Sequence, residues 1–213
     1  MSKIPDATIT RLVHYLRALE QMEAEGKVRT SSEELAAAAA VTAFQVRKDL
    51  AYFGSYGTRG VGYTVPVLRR ELAQILGMGR DWRLIIVGMG RLGQALADYF
   101  VGSQIYSLVA GFDVDPDKLG KKAGQVTVQH VSELAKVVAE KHVDVAILTV
   151  PGDVAQEVAE ALAAAGIKGI LNFTPAVLKK HHGVTVENAD FMAGLSRLGF
   201  FMINPRWREE MMG

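Results

Sequence analysis

Apolar positions follow two rhythms along this chain, and the change falls near residue 80. Before it they recur at three- and four-residue spacing, the mark of helices with one buried face. Ile9, Leu12, Val13, Leu16 and Leu19 form one such stripe, which predicts a helix over residues 8–25 ended by Gly26. Two capping-box patterns follow, Ser31 with Glu34 and Thr42 with Gln45. In each the hydroxyl can accept from a backbone N–H while the longer side chain reaches back. They predict short helices from about Ser32 and about Ala43, with only a tight turn at Ala40 and Val41 between them. That is the helix-turn-helix arrangement. The alanine run at residues 36–40 reads as close helix packing.

The helix after Ala43 has two faces. Ala43, Val46, Leu50 and Phe53 share the inward one. Phe44, Gln45, Arg47, Lys48 and Tyr52 share the other, which is either a solvated surface or a face that reads DNA. Glutamine pairs with adenine, lysine or arginine with guanine, and tyrosine with a phosphate. Residues 54–65 hold four glycines among β-formers, which predicts a hairpin. The hairpin offers Ser55, Tyr56 and, at its tip, Arg59, suited to a minor groove. Pro66 then opens a fourth helix as its first residue, with Val67, Leu68, Leu72, Ile75 and Leu76 on the buried side. Gly77-Met78-Gly79 ends it and serves as a linker. This is the element order of a winged-helix domain.

Beyond residue 80 short, nearly all-apolar runs alternate with helical stretches, as in a buried parallel sheet. Residues 83–87 form the first strand. Gly88-Met89-Gly90-Arg91-Leu92-Gly93 follows at once and opens a helix over residues 94–101, with Leu92, Ala95, Leu96 and Tyr99 on one face. Gly88 permits the turn, Gly90 lets a pyrophosphate approach the backbone, and Gly93 lets helix and strand pack closely. The helix N-terminus meets the phosphate charge. Alone the glycine string is weak. What strengthens it is a second strand at residues 107–112 that ends in Asp113, twenty residues after Gly93. An acid there binds ribose hydroxyls and repels a 2′-phosphate, and no Arg or Lys follows directly, so NAD(H) is favoured over NADP(H). Further strands are expected at residues 126–128, 143–150 and 167–173, with helices at 132–141 and 153–165. The strand ends put Thr149-Val150-Pro151 and Asn172-Phe173-Thr174-Pro175 at the rim of the ligand crevice. Thr149 and Asn172 are candidates for ribose or carboxamide contacts and Phe173 for the ring pocket; alternatively the prolines only stop strands.

Composition narrows the function. With no cysteine, disulfides, zinc-thiolate sites and thiol switches are excluded, so a redox response must run through a bound cofactor. The net charge of +1 hides an asymmetry: residues 1–80 hold 11 Lys and Arg against 8 Asp and Glu, the rest 13 against 15. Residues 42–70 hold Arg47, Lys48, Arg59, Arg69 and Arg70 against Asp49 alone, which is either ordinary surface charge or a modest footprint for phosphate binding. No apolar run approaches a membrane span and no signal peptide is legible, so the cytoplasm is expected. His14, His130, His142, His181 and His182 are not placed as catalytic bases. No Ser-His-Asp set, paired-carboxylate site or metal-ligand spacing is present, and only 38 residues follow Pro175, too few for a substrate domain. A ligand-gated DNA binder that is not an enzyme is the simpler account. A small NAD(P)H reductase and a regulator that binds coenzyme A or another nucleotide remain alternatives.

After an edge strand at residues 184–187, Asn188 or Asp190 caps a last helix carrying Phe191, Met192, Leu195, Leu198, Phe201, Met202 and Ile203. So apolar a terminal helix needs a large partner surface, either its own domain or a second copy. The expected domains are residues 1–79 (winged helix), 80–187 (Rossmann type) and 188–213 (dimerisation helix), within an α/β fold class.

Taken together these stretches resemble the Rex redox-sensing transcriptional repressors of bacteria. The likeness rests on residues 41–50, on Phe53-Gly54-Ser55-Tyr56-Gly57 with Arg59-Gly60-Val61-Gly62-Tyr63, on the 88–93 glycine string and on Phe112-Asp113-Val114-Asp115. It continues through Gly169-Ile170-Leu171-Asn172-Phe173 and Asn204-Pro205-Arg206-Trp207. The resemblance implies a homodimer with a C-terminal helix exchanged between subunits, bound to an inverted-repeat operator while NADH is low and released when NADH closes the dimer. It implies DNA contacts by Arg47, Lys48 and Arg59 and cofactor contacts by the 88–93 loop and Asp113. Thr174 stands where the family has a smaller alanine, and the 100–106 loop lacks a usual proline. A pocket walled by Phe173 and Phe191 would prefer the neutral nicotinamide of NADH to the cation of NAD+. Asp190 is placed to exchange partners between Tyr99 and Arg17, with a plain structural salt bridge as the alternative.

Overall fold

Helix α1 (Asp6–Ala24) supplies one wall of the first core through Leu12, Tyr15, Leu16 and Leu19, all buried. The structure is a computed structural model that describes residues 4–58, 61–179, 181–205 and 207. After α1 come strand β1 (Arg29–Thr30), α2 (Ser32–Ala38), α3 (Ala43–Ala51), strand β2 (Tyr63–Thr64) and α4 (Val65–Ile75). Leu35, Val46, Leu50, Leu68 and Leu72 close on the α1 stripe to complete the core. Ile9 and Val67, expected in buried stripes, are about half exposed instead, at 40 % and 46 %. Ile9 lies at the edge of the apolar arc of α1, and Val67 lies off the arc that Val65, Leu68 and Leu72 set on α4.

The boxes before α2 and α3 turn out unequal. At Ser31 both halves form: its hydroxyl accepts from the Glu34 N–H, and Glu34 accepts from the Ser31 N–H. Glu34 also takes Lys27 and Thr30, and these donors, Lys27 foremost, hold its carboxyl down at about 2. At Thr42 only the hydroxyl half forms. Gln45 turns its amide to Asp49 instead, at 2.8 Å. The expected hairpin over residues 54–65 is also replaced. β2 pairs antiparallel with β1, Arg29 opposite Thr64 and Thr30 opposite Tyr63, so the wing is built from distant segments. Among the described residues of 54–65, the Thr58–Gly62 bridge closes a small loop. Arg59 and Gly60 lie outside the described residues.

Asp49 ties this unit together. It is fully buried on the inner face of α3, and α1 supplies most of its partners. Arg11 donates from Nε at 2.6 Å and Nη2 at 2.8 Å, Tyr15 from its hydroxyl at 2.9 Å and Thr8 from Oγ1 at 3.0 Å. Burial pushes the carboxyl upward, but the donors from Arg11, Tyr15, Gln45 and Thr8 outweigh it and hold it below the usual carboxylate value. Burial, and then the neighbouring Asp49, push the Tyr15 hydroxyl well up.

A second unit begins at Asp81. Its elements are β3 (Trp82–Val87), α5 (Arg91–Tyr99), β4 (Tyr106–Asp113), β5 (Lys122–Ala123), β6 (Val126–His130), a single 3-10 turn (Val131–Glu133), α6 (Leu134–Lys141), β7 (Val145–Leu148), α7 (Ala155–Ala164), β8 (Gly169–Asn172), β9 (Thr185–Asn188) and α8 (Phe191–Ile203). The sheet order is β5-β6-β4-β3-β7-β8-β9. All neighbours from β6 to β9 run parallel, and β5 is an antiparallel edge. Ile85 and Val87 face one side of the sheet with α6 and α7, while Leu84 and Ile86 face the other with α5. Both faces are covered, which is why the strand reads as an unbroken apolar run. The order reverses direction between β3 and β7, the topological switch point where such sheets hold ligands.

On α5 the buried positions are Gly93 and Ala97, with Leu96 and Phe100 partly covered. The face predicted from Leu92, Ala95 and Tyr99 is open, with Tyr99 78 % exposed. The helix starts three residues earlier than expected and needs Gly93 against the strand, which rotates the apolar arc. Helix α8, capped by the Asp190 carboxylate on the Ala193 N–H, buries none of its residues.

Replacing Asp49 with alanine strands the donors of α1 and should cost about 3–5 kcal/mol in the N-terminal unit. Because the native pKa is depressed, this stabilisation is complete above about pH 4 and fades as pH falls through the native value. Denaturant unfolding of wild type and Asp49→Ala at pH 7 and in acid checks it: the gap between them narrows in acid.

Candidate nucleotide site and nucleic-acid interface

At the switch point β3 hands over to α5 through the glycine turn, and three backbones meet there. Gly88 adopts φ +98°, and a Cβ on it would lie 2.7 Å from the Thr149 carbonyl. A Cβ on Gly93 would lie 2.1 Å from the Gly88 oxygen, closer than any side chain allows. At Gly90, by contrast, a Cβ would meet nothing within 4 Å. The turn is therefore tight against the protein at its ends and open in its middle. Gly90 is also the N-cap of α5 and offers no side chain, so the first-turn N–H groups of Arg91, Leu92 and Gly93 lack an intrahelical partner. Free donors, the positive end of a helix and open space suit an anionic group such as a pyrophosphate.

Asp113, at the end of β4, is 7 % exposed and holds this turn from the side. Its Oδ2 accepts from the Met89 N–H at 2.7 Å and from Lys118 Nζ at 3.0 Å, and its Oδ1 accepts from the Asp115 N–H at 2.9 Å. Burial raises this carboxyl, but the Asp115 N–H, Lys118 and the Met89 N–H more than reverse that and keep it below the usual value. Met89 itself is buried, its sulfur filling the space that a Cβ on Gly111 would need. Its N–H is already spent, so only Gly90 and the α5 terminus remain to face a phosphate.

Two residues expected to touch a ligand also serve the fold. Thr149 donates its hydroxyl to the Gly88 carbonyl at 2.6 Å, which locks the turn against β7. Asn172 is 1 % exposed, and its amide is fully engaged. It donates to the Ala176 carbonyl and to Asn188 Oδ1, and accepts from both the N–H and hydroxyl of Thr174. No donor or acceptor is left for a ribose. Thr174 therefore stiffens this loop. Val150 and Phe173 are half-buried against the two sheet cores, Pro151 is exposed, and Phe191 is 62 % exposed at the start of α8.

In the N-terminal unit α3 presents Phe44 (67 % exposed), Arg47 and Lys48 outward. Lys48 is unpaired among the described residues. Arg47 donates from Nη1 to Ser32 Oγ at 2.7 Å and pairs with Glu33 at 3.2 Å, so a phosphate must compete with an internal partner. Gln45 and Tyr52 are half-buried. One N–H of Gln45's amide is committed to Asp49, which ties the side chain to the inner face of α3. Ser55 is exposed beside Tyr56, whose hydroxyl donates to the Phe53 carbonyl at 3.3 Å. α2, α3 and this loop surround an open cleft of about 870 Å³, with Ser32, Arg47, Ser55 and Thr58 on its walls. Arg17 is exposed on α1. No group of three or more potential metal ligands occurs among the described residues. No helix among them is long and apolar enough to cross a membrane.

Comparison with known proteins decides what these parts belong to. Residues 3–51 match the model "Putative DNA-binding protein N-terminus" and residues 79–176 match "CoA binding domain". A redox-sensing transcriptional repressor Rex from Thermus thermophilus is 59 % identical over 211 residues, covering 99 % of this chain and all of the relative. The chain belongs to the Rex family of redox-sensing transcriptional repressors. Among solved Rex-family structures, that of the repressor RSP with NADH has TM-score 0.87 at 34 % identity, covering 99 % of this chain and 100 % of RSP. RSP with NAD+ and operator DNA has TM-score 0.91 at 35 % identity, covering 99 % and 98 %. The Rex family is one of regulators rather than enzymes, and the winged-helix and Rossmann-like architecture agrees with the expected fold class.

Two residues that matter in this Rex protein escape sequence inspection. Asp49 had one usable signal, a lone acid between Val46 and Leu50 on the apolar stripe of α3. Lys118 had none, because only folding brings it back across the 114–117 turn onto Asp113.

The glycine geometry makes opposite demands at two positions. Gly93→Ala forces the turn apart and should lower stability by about 1–3 kcal/mol as well as nucleotide affinity. Gly90→Ala should leave stability within about 0.5 kcal/mol of wild type while obstructing the phosphate. Thermal unfolding alongside nucleotide titration of both variants checks the contrast.

Proposed function

We propose that this Rex protein acts in the cytoplasm as a homodimeric repressor that binds an inverted-repeat operator when NADH is scarce and leaves it when NADH is bound. The observation that carries the reading is the open middle of the glycine turn beside the α5 N-terminus and Asp113, in a chain that also exposes a basic helix-turn-helix. RSP, a relative across the whole chain, has been crystallised with NADH and with NAD+ and operator DNA, which supports both halves.

In this reading residues 1–79 are the DNA-binding domain, residues 80–187 the nucleotide-binding domain and residues 188–213 the dimerisation helix. Gly90 and the first turn of α5 hold the pyrophosphate, and Asp113 meets the adenosine ribose. Val150, Pro151, Phe173 and Phe191 line the nicotinamide end. NADH brings a neutral ring there where NAD+ brings a cation, and apolar walls favour the neutral form. Differential affinity for two dimer arrangements is what any such ligand needs in order to move an equilibrium. An altered distance between the two recognition helices would spoil their fit to half-sites one helical turn apart. Arg47, Lys48, Tyr52, Ser55, Tyr56 and Arg59 form the DNA face, with Phe44 beside them. Arg17, Tyr99 and Asp190 form the proposed switch; Asp190 already caps α8, so exchange would begin from that contact. Helix α8, with Leu195 58 % and Met202 74 % exposed, supplies the apolar surface that a second copy covers.

The match to a coenzyme A domain model keeps a second ligand in view. Asp113 argues against it, because an acid at this strand end favours a ribose with free hydroxyls.

Lys48→Ala should weaken operator binding about tenfold and lower the salt slope by about one counterion. Leu195→Glu should give a monomer that fails on the inverted repeat. Fluorescence anisotropy over a salt series and sedimentation measure the two effects. Unchanged salt slope and an intact dimer would contradict the assignment of α3 and α8.

A further inference from the structure

The adenosine end of the site is not the lone aspartate that a glycine string followed by an acid suggests. Three of the roughly four acceptor directions of Asp113 are spent inside the protein, on Met89, Asp115 and Lys118. Lys118 comes back over a turn in which the Asp115 carboxylate caps the Asp117 N–H at 3.0 Å. Its Nζ stands 3.0 Å from Asp113 and 3.6 Å from Asp115, while a third of its side chain remains exposed. The ammonium is therefore at the solvent side of the pair and has donor capacity left. The local charge is that of two carboxylates and one ammonium, a net of −1 that would be −2 without the lysine.

This changes how the site sorts nucleotides. A carboxylate at this strand end rejects a 2′-phosphate by repulsion and by offering an acceptor where a donor is needed. Lys118 lessens the first and offers a donor for the second. Its charge lies 3.0 Å from the same carboxylate that is proposed to meet the ribose, so it offsets part of that carboxylate's field there. Partial exposure softens both effects without cancelling them. Asp113 is also kept ionised by its donors, so Lys118 helps fix the acid in the form that accepts from ribose hydroxyls.

We propose that Lys118 is a specificity-setting residue of the nucleotide site: its ion pair with Asp113 moderates rejection of a 2′-phosphate, giving NADPH a weaker but measurable affinity that depends on this lysine. The proposal rests on the nucleotide reading of the previous section and extends it to the choice between NADH and NADPH. Lys118 acts partly through Asp113, so loss of the lysine must be told apart from simple loosening of the loop.

The test is titration of the full-length protein with NADH and with NADPH, for wild type, Lys118→Met and Lys118→Arg, at low and at moderate salt. The expected result is a rise of about tenfold or more in the Kd ratio of NADPH to NADH in Lys118→Met, carried mainly by NADPH. Lys118→Arg restores the ratio to within about threefold of wild type, and the NADPH affinity of wild type falls with salt more steeply than that of Lys118→Met. A ratio unchanged within about twofold, or equal weakening of both nucleotides, overturns the proposal by making Lys118 a structural tie only. If wild type binds NADH but not NADPH, the proposal fails and the nucleotide reading stands. If wild type binds neither, both fail.

Discussion

The nucleotide half of this molecule depends on how closely the backbone passes itself at Gly88, Gly93 and Thr149. The Gly88 carbonyl lies where a Cβ on Gly93 would be, and the Thr149 hydroxyl closes on that same carbonyl at 2.6 Å. This contact joins the first and fourth parallel strands where the sheet order reverses, so the crevice exists because the two strand ends are held together there. It also aims α5: with Gly93 against the strand, the free N–H groups of its first turn point to the open side of Gly90. Asp113 reinforces the arrangement from the neighbouring strand through Met89. For the pyrophosphate proposed to bind there, the donors are already ordered, at little further entropic cost.

The N-terminal unit uses a buried ion pair for a comparable purpose. Arg11, Tyr15 and Thr8 on α1 and Gln45 on α3 converge on Asp49, a carboxylate with no exposure at all. Such clusters contribute little net stability relative to an apolar core, but breaking one is costly, so they define orientation. Here the orientation defined is that of α3, the helix proposed to lie on DNA, relative to α1. The outward face then consists of what the cluster leaves over: Phe44, Arg47 and Lys48. A fully satisfied inner face and a sparsely satisfied outer one agree with a helix whose remaining partners are phosphates and bases. Helix α8 shows the same logic in apolar form, since none of its residues is buried within its own chain.

Much of this was legible in the sequence, for stated reasons. The glycine string between an apolar strand and a helix, with Asp113 twenty residues on, marks the dinucleotide fold because each residue type answers a steric or electrostatic need. The alternation of strands and helices along the chain and the helix pair after Ser31 and Thr42 followed from periodicity and caps. What periodicity cannot show is a contact made by the chain on itself at long range. The wing pairs Arg29–Thr30 with Tyr63–Thr64, segments over thirty residues apart, so the glycine-rich local sequence could not show where Tyr63 and Thr64 find their partner strand. Thr149 and Asn172 sit at the rim as expected, and their side chains also bond to the fold's own backbone there. Lys118 and Asp49 matter through partners that only the fold supplies.

The central claim is that one molecule couples the nucleotide site to DNA and distinguishes the two redox forms of the same nucleotide. The most direct test is to preform the complex with an inverted-repeat operator and follow its dissociation while adding NADH in one titration and NAD+ in another. The account predicts release by NADH at concentrations at least about a hundredfold below those at which NAD+ has any effect, a difference within the usual range of allosteric coupling. Equal concentrations for the two nucleotides, or an operator complex indifferent to both, would contradict it.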